Sequence, residues 1–190
     1  NKGVASWNFQ LVSALIDVIQ YCKVDAISNA AAELLAKCNE GINTRFLYKD
    51  DEDRTRIHTT TTREKHVPLL EDYVMFSEYS FRCFELTGDQ NFYINGIGTV
   101  RFIFKNFYKD QCLYTRSLEF NDTEFYENIH TPIFDQSYKS SMATLIIILK
   151  KWSLVEPELK EFLKSMDASI ETLTHLSLQN PLAFGETLRA

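Results

Sequence analysis

The stretch HVPLLEDYV, residues 66–74, points to a repeat fold, because HTPIFDQSY at residues 130–138 follows the same pattern. Each stretch begins with His-x-Pro, continues with two large apolar residues and reaches a carboxylate at its sixth position. About 64 residues separate the two copies. The repetition indicates either a duplicated structural joint or two walls of one active site.

Around these stretches the sequence predicts six helices, in three pairs separated by two long loops. We expect the helices at about 6–22, 25–39, 69–87, 89–108, 136–152 and 156–178. Gly41 is predicted to cap the second helix, Gly88 to end the third and Asp89 to begin the fourth. In the first long loop, RFLY and RIHTTTT flank the acidic turn KDDED, which predicts a short β-hairpin.

The apolar patterns differ between odd and even helices. The first, third and fifth are apolar almost all round, which is typical of buried helices. The second and sixth carry stripes at three-four spacing: Ile27, Ala30, Ala31, Leu34, Leu35 and Cys38, and Leu159, Phe162, Leu163, Met166, Ile170 and Leu173. The glycines of GIGTV (96–100) are expected to permit close helix packing. We predict an all-α array of three αα-hairpins with short β-hairpin loops, odd helices inside and even helices outside.

Composition bounds the class of protein. The 190 residues are 45% hydrophobic and 24% charged, which suits one helical domain over residues 1–190. The net charge of -6 and the lack of a basic stripe argue against a nucleic-acid partner. The longest apolar run, MATLIIIL (142–149), is shorter than the ~20 residues of a membrane span. Four cysteines without metal-ligand spacing predict reduced thiols, a cytoplasmic protein, no metal and no cofactor.

Five motifs, in order along the chain, carry a family resemblance: ASWN, LLEDYV, LTGDQNFYIN, FYKDQCLYT and NPLAFGETL. Together they resemble the C-terminal region of the YyaL-type thioredoxin-domain-containing proteins, a group that includes the spermatogenesis-associated thioredoxin-like proteins. The resemblance implies the last three hairpins of an (α/α)6 toroid similar to N-acylglucosamine 2-epimerase and the six-hairpin glycosidases. It also implies that this chain is a C-terminal fragment, whose partners are a missing N-terminal toroid half and a thioredoxin-like domain.

The sequence departs from the family pattern in two places. QCLYT stands where the family has a glycine-rich GGFFxT, and DQSYKSSMA (135–143) stands where it has DGxxPSGNS. Asp135 and Ser140 are retained, whereas the glycines, the proline and the asparagine are not. If the missing residues shape the pocket, ligand binding or activity is altered or lost.

Glu71, Asp72 and Asp135 are the candidate catalytic residues. Carboxylates at a helix start are stabilised by the helix dipole, and this alone explains their position. Paired carboxylates at the mouth of an inner ring of helices can also bind sugar hydroxyls or act as general acid and base. Asp135 is the repeat partner of Glu71, so the two are predicted to approach one ligand from neighbouring walls.

Four further residues are candidate substrate-binding groups. Trp7 and Asn8 offer a stacking surface and a hydrogen-bonding amide, a pairing that suits sugars, or alternatively a buried aromatic beside a helix start. His66 and His130 precede matching prolines, and histidine has a pKa suited to proton transfer near neutrality. Loop anchoring is the reading favoured for both histidines.

Two functions follow from these residues. The first is a pocket that binds a sugar, with epimerase-like or glycoside hydrolase-like processing left open. The second is a non-catalytic helical scaffold for protein interaction, with a vestigial pocket. Because the first and last helix pairs would expose apolar surface, we also expect the isolated chain to self-associate through these edges.

Overall fold

The computed structural model describes residues 3–62, 67–120, 135 and 139–189, and within them helices predominate. The chain forms two compact units: Asn1–Pro68 with Met75–Thr99, and Leu69–Val74 with Val100–Ala190. The helices are α1 (Ala5–Tyr21), α2 (Asp25–Arg45), α3 (Leu70–Thr87), α4 (Gln90–Asn106), α5 (Ser141–Trp152), α6 (Lys160–Ser165), α7 (Asp167–Gln179) and α8 (Gly185–Arg189). Turns of 3₁₀ helix cover Leu118–Phe120, Pro157–Leu159 and Pro181–Ala183. No helix in the described ranges has both the length and the apolarity needed to cross a membrane.

Two short antiparallel hairpins follow the first two helix pairs. The first joins β1 (Leu47–Lys49) to β2 (Thr55–Ile57), which confirms the hairpin predicted around KDDED. Asp50 holds its turn, because one carboxylate oxygen accepts the backbone N–H groups of Glu52 and Arg54 at 3.0 and 2.9 Å. The second hairpin joins β3 (Tyr108–Lys109) to β4 (Cys112–Leu113).

The boundary between α3 and α4 lies where the sequence predicts it. Gly88 takes the left-handed conformation at φ 69°, which suits glycine, and its N–H donates to the carbonyl of Phe84 at 2.8 Å. Asp89 then caps α4, since its carboxylate accepts the N–H of Asn91 at 2.9 Å. Two adjacent residues therefore stop one helix and begin the next.

Other boundaries differ from the prediction. Gly41 does not end α2, which continues through it to Arg45, because an interior glycine costs only ~1 kcal/mol relative to alanine. The fifth helix begins at Ser141 rather than near 136, with the Ser140 hydroxyl accepting the N–H of Ala143 at 3.4 Å. The predicted sixth helix is divided at Met166, where φ is -96° and ψ is 5°.

The predicted apolar stripes agree with the burial in the structure on one helix better than on the other. On the sixth predicted helix, Leu159, Met166 and Leu173 are buried, as expected. On α2 the stripe is wrong in part, because Ile27 and Leu34 are 52% and 44% exposed. The close-packing role predicted for the GIGTV glycines is wrong at Gly98, which is exposed; no described atom lies within 4 Å of where its Cβ would stand.

Aromatic rings dominate the core of each unit. In the first unit Phe9 of α1 contacts Phe76 and Tyr79 of α3, with ring centroids 5.2 and 5.5 Å apart. In the second unit Tyr73 contacts Phe102 at 4.6 Å, and Trp152 is fully buried in α5. These contacts explain the aromatic-rich composition as packing.

Helices α1, α3 and α5 share a common feature, which we call the joint. A residue at or shortly before the helix start donates its backbone N–H to a carbonyl that lies beyond the helix or helices that follow. At α1, the N–H of Ala5 donates to the carbonyl of Thr59 at 2.9 Å; at α3, the N–H of Leu70 donates to Thr115 at 2.9 Å.

The third joint precedes α5. The N–H of Asp135 donates to the carbonyl of Ala183 at 2.9 Å. Leu70 of HVPLLEDYV and Asp135, the one residue of HTPIFDQSY that the structure describes, therefore each lie at a joint.

Candidate functional site

Glu71 and Asp72 lie in the first turn of α3, directly after its joint. Glu71 is half-buried, whereas Asp72 is only 2% exposed. The positive end of the helix dipole stabilises negative charge at this turn. Of the two residues, Glu71 is therefore the more exposed.

Asp135 is held firmly by backbone groups from two directions. One carboxylate oxygen accepts the N–H of Ser140 at 2.8 Å, just before α5. The other accepts the N–H of Glu186 at 2.8 Å, at the start of α8. A Cβ at Gly185 would lie 3.4 Å from that second oxygen, so the glycine leaves room for the carboxylate. Asp135 thus links Ser140, directly before α5, to the start of the C-terminal helix α8.

A second carboxylate beside it is also paired. Glu186 is 7% exposed, and its Oε2 accepts a hydrogen bond from Arg189 at 2.8 Å. Lys139 lies 3.9 Å from its other oxygen. The cations compensate the cost of burying this charge, which explains why a glutamate can occupy the position.

Trp7 and Asn8 lie in the first turn and a half of α1, in the first unit, whereas Glu71, Asp72 and Asp135 belong to the second. Trp7 is 63% exposed, so the buried-aromatic reading of this residue is wrong. The Asn8 amide nitrogen donates to the carbonyl of Val4 at 2.7 Å, which leaves its oxygen for a ligand.

His66 and His130 fall outside the residues that the structure describes, so their predicted roles stay predictions. Within the described ranges, no group of three or more His, Cys, Asp or Glu side chains could hold a metal ion.

Burial perturbs a thiol and a phenol in the first unit. Burial raises the pKa of Cys83 to about 12, and it raises the pKa of Tyr79 well above its ordinary value. The Tyr79 hydroxyl donates to Asn39 at 3.2 Å. Both groups stay protonated near neutral pH and act as core residues.

A polar groove of about 510 Å³, wholly within the first unit, lies along the first hairpin and the N-terminal half of α4. We call it the amide groove, because three asparagine side chains line it: Asn43, Asn91 and Asn95. Thr55 donates to the Asn95 oxygen at 2.8 Å, which leaves the Asn95 NH₂ for another acceptor. Asn91 donates through both its backbone and its side chain to Asp89, at 2.9 and 3.0 Å.

Tyr48 adds an aromatic surface to the amide groove. Its ring stacks on His58 with centroids 4.3 Å apart, and the side chain remains 42% exposed. Ligand pockets commonly have volumes of ~300–1,000 Å³ and a few placed polar groups. Amide donors, a carboxylate acceptor and an open ring face together can bind a polyhydroxylated ligand.

Sequence reasoning did not find this groove. Asp89 was recognised only as a helix cap, and Asn91 and Asn95 only as part of a family motif. One signal was present: asparagines four residues apart share one face of a helix, where polar side chains without charge are seldom needed for solubility.

Comparison with known proteins establishes the fold. Among solved structures, a GH76 α-mannanase of Bacteroides thetaiotaomicron, an (α/α)6 toroid, matches with a TM-score of 0.60 and 9% sequence identity. The match covers 94% of this chain and 44% of the mannanase, so this chain spans less than half the length of that protein. No protein-family model and no curated protein matches the sequence. The chain therefore has an α/α-toroid type of fold, whereas the thioredoxin-domain family stays a prediction.

Proposed function

We propose that this chain is part of a carbohydrate-binding or carbohydrate-processing protein, in which Glu71 is the principal acid/base candidate. The observation that carries the proposal is the likeness of nearly the whole chain to part of the toroid of an α-mannanase. At 9% identity this likeness concerns the fold, so the sugar class and the chemistry rest on the side chains.

Glu71 fits the acid/base role on three grounds. It lies in the first turn of α3, whose start is fixed by the hydrogen bond from Leu70 to Thr115. It is half-buried, unlike the buried Asp72 beside it. A carboxyl group in this position can protonate the oxygen of a glycosidic bond or remove a proton beside a carbonyl. Asp72 in the same turn is buried.

Asp135 has a positioning role beside the catalytic role proposed for it. Both of its oxygens accept backbone N–H groups, from Ser140 and Glu186. Each carboxylate oxygen has two lone pairs, so these hydrogen bonds hold the side chain in place and leave acceptor capacity toward a substrate. This use of Asp135 is also the observation that favours the alternative function, a non-catalytic helical scaffold.

Two further places offer contacts to a sugar. Trp7 presents an exposed indole, and aromatic faces stack on the apolar faces of sugar rings. The amide groove supplies a donor from the Asn95 side chain and an acceptor from Asp89. The groove is the second candidate location, and substitutions there separate it from the Glu71 location.

Calorimetric titration with α-mannooligosaccharides at millimolar concentration tests the proposal, with cello-oligosaccharides as the unrelated sugar. We expect Glu71→Gln to weaken binding or to abolish release of reducing ends. Glu85→Gln, an exposed glutamate in the last turns of the same helix, is the matched control and should change neither. Loss of one ion-assisted hydrogen bond corresponds to about tenfold in affinity.

The outcomes distinguish the alternatives. Weaker binding in Asn95→Ala, with Glu71→Gln unchanged, would move the sugar to the amide groove. Binding without turnover in every variant would support a sugar-binding protein without catalysis. Failure of the unsubstituted protein to bind any of these sugars would count against the carbohydrate function and leave the scaffold.

A further inference from the structure

The first hairpin leaves one edge of strand β1 without a partner strand in the part of the chain that the structure describes. The N–H of His58 donates to the carbonyl of Phe46 at 2.7 Å, and the N–H of Asp50 donates to the carbonyl of Arg54 at 3.0 Å. Hydrogen-bonded and non-bonded pairs alternate along an antiparallel ladder. The first and third residues of β1 therefore turn their N–H and C=O groups away from β2.

These outward peptide groups belong to Leu47 and Lys49, and they lie beside the amide groove. All three residues of β1 line the groove, whereas β2, which the structure describes in full, contributes Thr55 alone. Proteins usually cover or block a free strand edge, because its N–H and C=O groups can pair with another strand. The groove therefore has one wall that can accept a third strand.

The second wall, on helix α4, carries two asparagine amides with complementary groups. The side chain of Asn91 donates to Asp89 at 3.0 Å, so among the described groups its carbonyl oxygen remains as an acceptor. The oxygen of Asn95 accepts the hydroxyl of Thr55 at 2.8 Å, so its NH₂ remains as a donor. Because a carboxamide has the same donor and acceptor groups as a peptide bond, this wall can also pair with a peptide backbone.

The two walls share a spacing that matches an extended peptide. Asn91 and Asn95 are four residues apart on α4, which separates them by about 6 Å along the helix axis. Leu47 and Lys49 are two residues apart on a strand, which separates them by about 6.7 Å. An extended peptide presents N–H and C=O groups to each side at the same two-residue interval, about 6.7 Å. One peptide strand can therefore hydrogen-bond to both walls, whereas the hydroxyls of a sugar require no such interval.

The charges around the groove favour a basic peptide. The Oδ1 atom of Asp89 accepts two hydrogen bonds from within α4, which leaves Oδ2 of this exposed side chain for another partner. The hairpin at 47–57 contains four acidic and three basic residues. Its Lys49 donates to the carbonyl of Asp53 at 2.9 Å, so this ammonium is held at the turn. A lysine or arginine of a ligand would therefore be attracted to Asp89.

We propose that the amide groove binds an extended basic peptide, which adds to the free edge of β1 as a third strand. The backbone of the peptide pairs with Leu47 and Lys49 on one side and with Asn91 and Asn95 on the other. A basic side chain of the peptide pairs with Asp89. This ligand differs from the sugar proposed above, and the two functions are tested separately.

Fluorescence anisotropy tests the proposal with a labelled probe peptide, Thr-Lys-Thr-Lys-Thr-Lys, blocked at both ends. A matched probe has the same sequence with alternate backbone nitrogens methylated, so it keeps the charges and loses the donors along one edge of the strand. We expect the unmodified probe to bind at least about tenfold more tightly, because the matched probe loses two or more hydrogen bonds.

Substitutions in the groove supply the second arm. Asn95→Ala should weaken binding of the probe about three- to tenfold, as expected for one hydrogen bond. Asn29→Ala, at an exposed position of α2 outside the groove, is the control and should leave binding unchanged. Asp89→Asn keeps the helix cap but removes the charge, so binding should weaken and depend less on salt. Lys49→Pro removes the outward N–H and should bind more weakly than Lys49→Ala, which keeps it.

Four results would overturn the inference. They are no binding of the probe, equal binding of the two probes, unchanged binding in Asn95→Ala, and displacement of the probe by an α-mannooligosaccharide, which would assign the groove to the sugar. Thermal unfolding shows whether each variant folds; if Lys49→Pro does not, the Asn95 and Asp89 variants decide. Sugar titration of Glu71→Gln is a separate measurement, so the sugar function can fail while peptide binding holds, and the reverse.

Discussion

Replacing Asp135 by alanine should lower the free energy of unfolding by about 2–3 kcal/mol. The carboxylate accepts two backbone N–H groups at 2.8 Å, one before α5 and one at the start of α8. A hydrogen bond to a charged group contributes roughly 1.5–3 kcal/mol. Because Asp135 is partly exposed, water can replace some of what is lost, so the lower end of that range applies to each bond.

The assay is urea unfolding followed by tryptophan fluorescence, since Trp152 is buried in the α5 helix that Asp135 anchors. Asp135→Asn keeps one acceptor oxygen and should lose less stability than the alanine variant. Glu171→Ala, on the exposed surface of α7, is the control and should change stability by no more than ~0.5 kcal/mol.

The reasoning fails if Asp135→Ala is as stable as the unsubstituted protein, or more stable. Catalytic carboxylates are often held at a cost in stability, and their removal then stabilises the protein. A stabilised Asp135→Ala variant with reduced sugar processing would therefore return Asp135 to the catalytic role that the sequence suggested.

Three other outcomes are expected. Gly88→Ala should lower the free energy of unfolding by ~1–2 kcal/mol, because Gly88 has φ 69°. Gly98→Ala should raise it by ~0.5–1 kcal/mol, because Gly98 is helical and no described atom would obstruct the added Cβ. Urea unfolding of both variants measures the two changes. Partial burial raises the pKa of Asp50. Hydrogen bonds from Arg54 and from the backbone N–H of Glu52, together with the charge of Arg56, lower it by more, so the pKa falls from the ordinary 3.8 to about 2. The stability from Asp50 should be present above pH ~4 and lost as pH falls toward 2, and an NMR titration midpoint near 4 would refute this. Cys83, with its pKa raised to about 12 by burial, should react with a thiol reagent at pH 8 only after unfolding, so Cys83→Ala should lower the denatured thiol count but not the native one.

Helix positions were largely predictable, because they depend on residues close together in sequence. Gly88 and Asp89 ended one helix and began the next through local backbone conformation and a local cap. Gly41 misled the prediction, since the cost of one glycine is smaller than what a long helix gains by continuing. The late start of α5 was not predictable, because Asp135 hydrogen-bonds both to Ser140, directly before the helix, and to Glu186, which is far away in the sequence.

The hydrogen bond between Asp135 and Glu186 also limits what could be predicted about the site from the sequence. The motif suggested that Asp135 was a catalytic group, and the residue type allowed it. The motif could not show that one of its oxygens accepts a hydrogen bond from the backbone N–H of Glu186, 51 residues away. Tertiary packing decides which donors a carboxylate meets. Sequence spacing alone therefore could not separate a catalytic carboxylate from one that only links two segments of the chain. The amide groove was missed for the same reason, because Thr55 and Asn95 meet only in the folded unit.

The joint has a consequence for how such arrays can grow or shrink. The first joint closes within residues 3–62, from Ala5 to Thr59, so a gene duplication or deletion that ends after Thr62 would carry its backbone closure with it. The aromatic contact of Phe9 with Phe76 is not contained in that segment. A single repeat thus contains its own backbone hydrogen bond but not a complete core. An added repeat must therefore pack against a neighbour, and a repeat that loses its neighbour must find another.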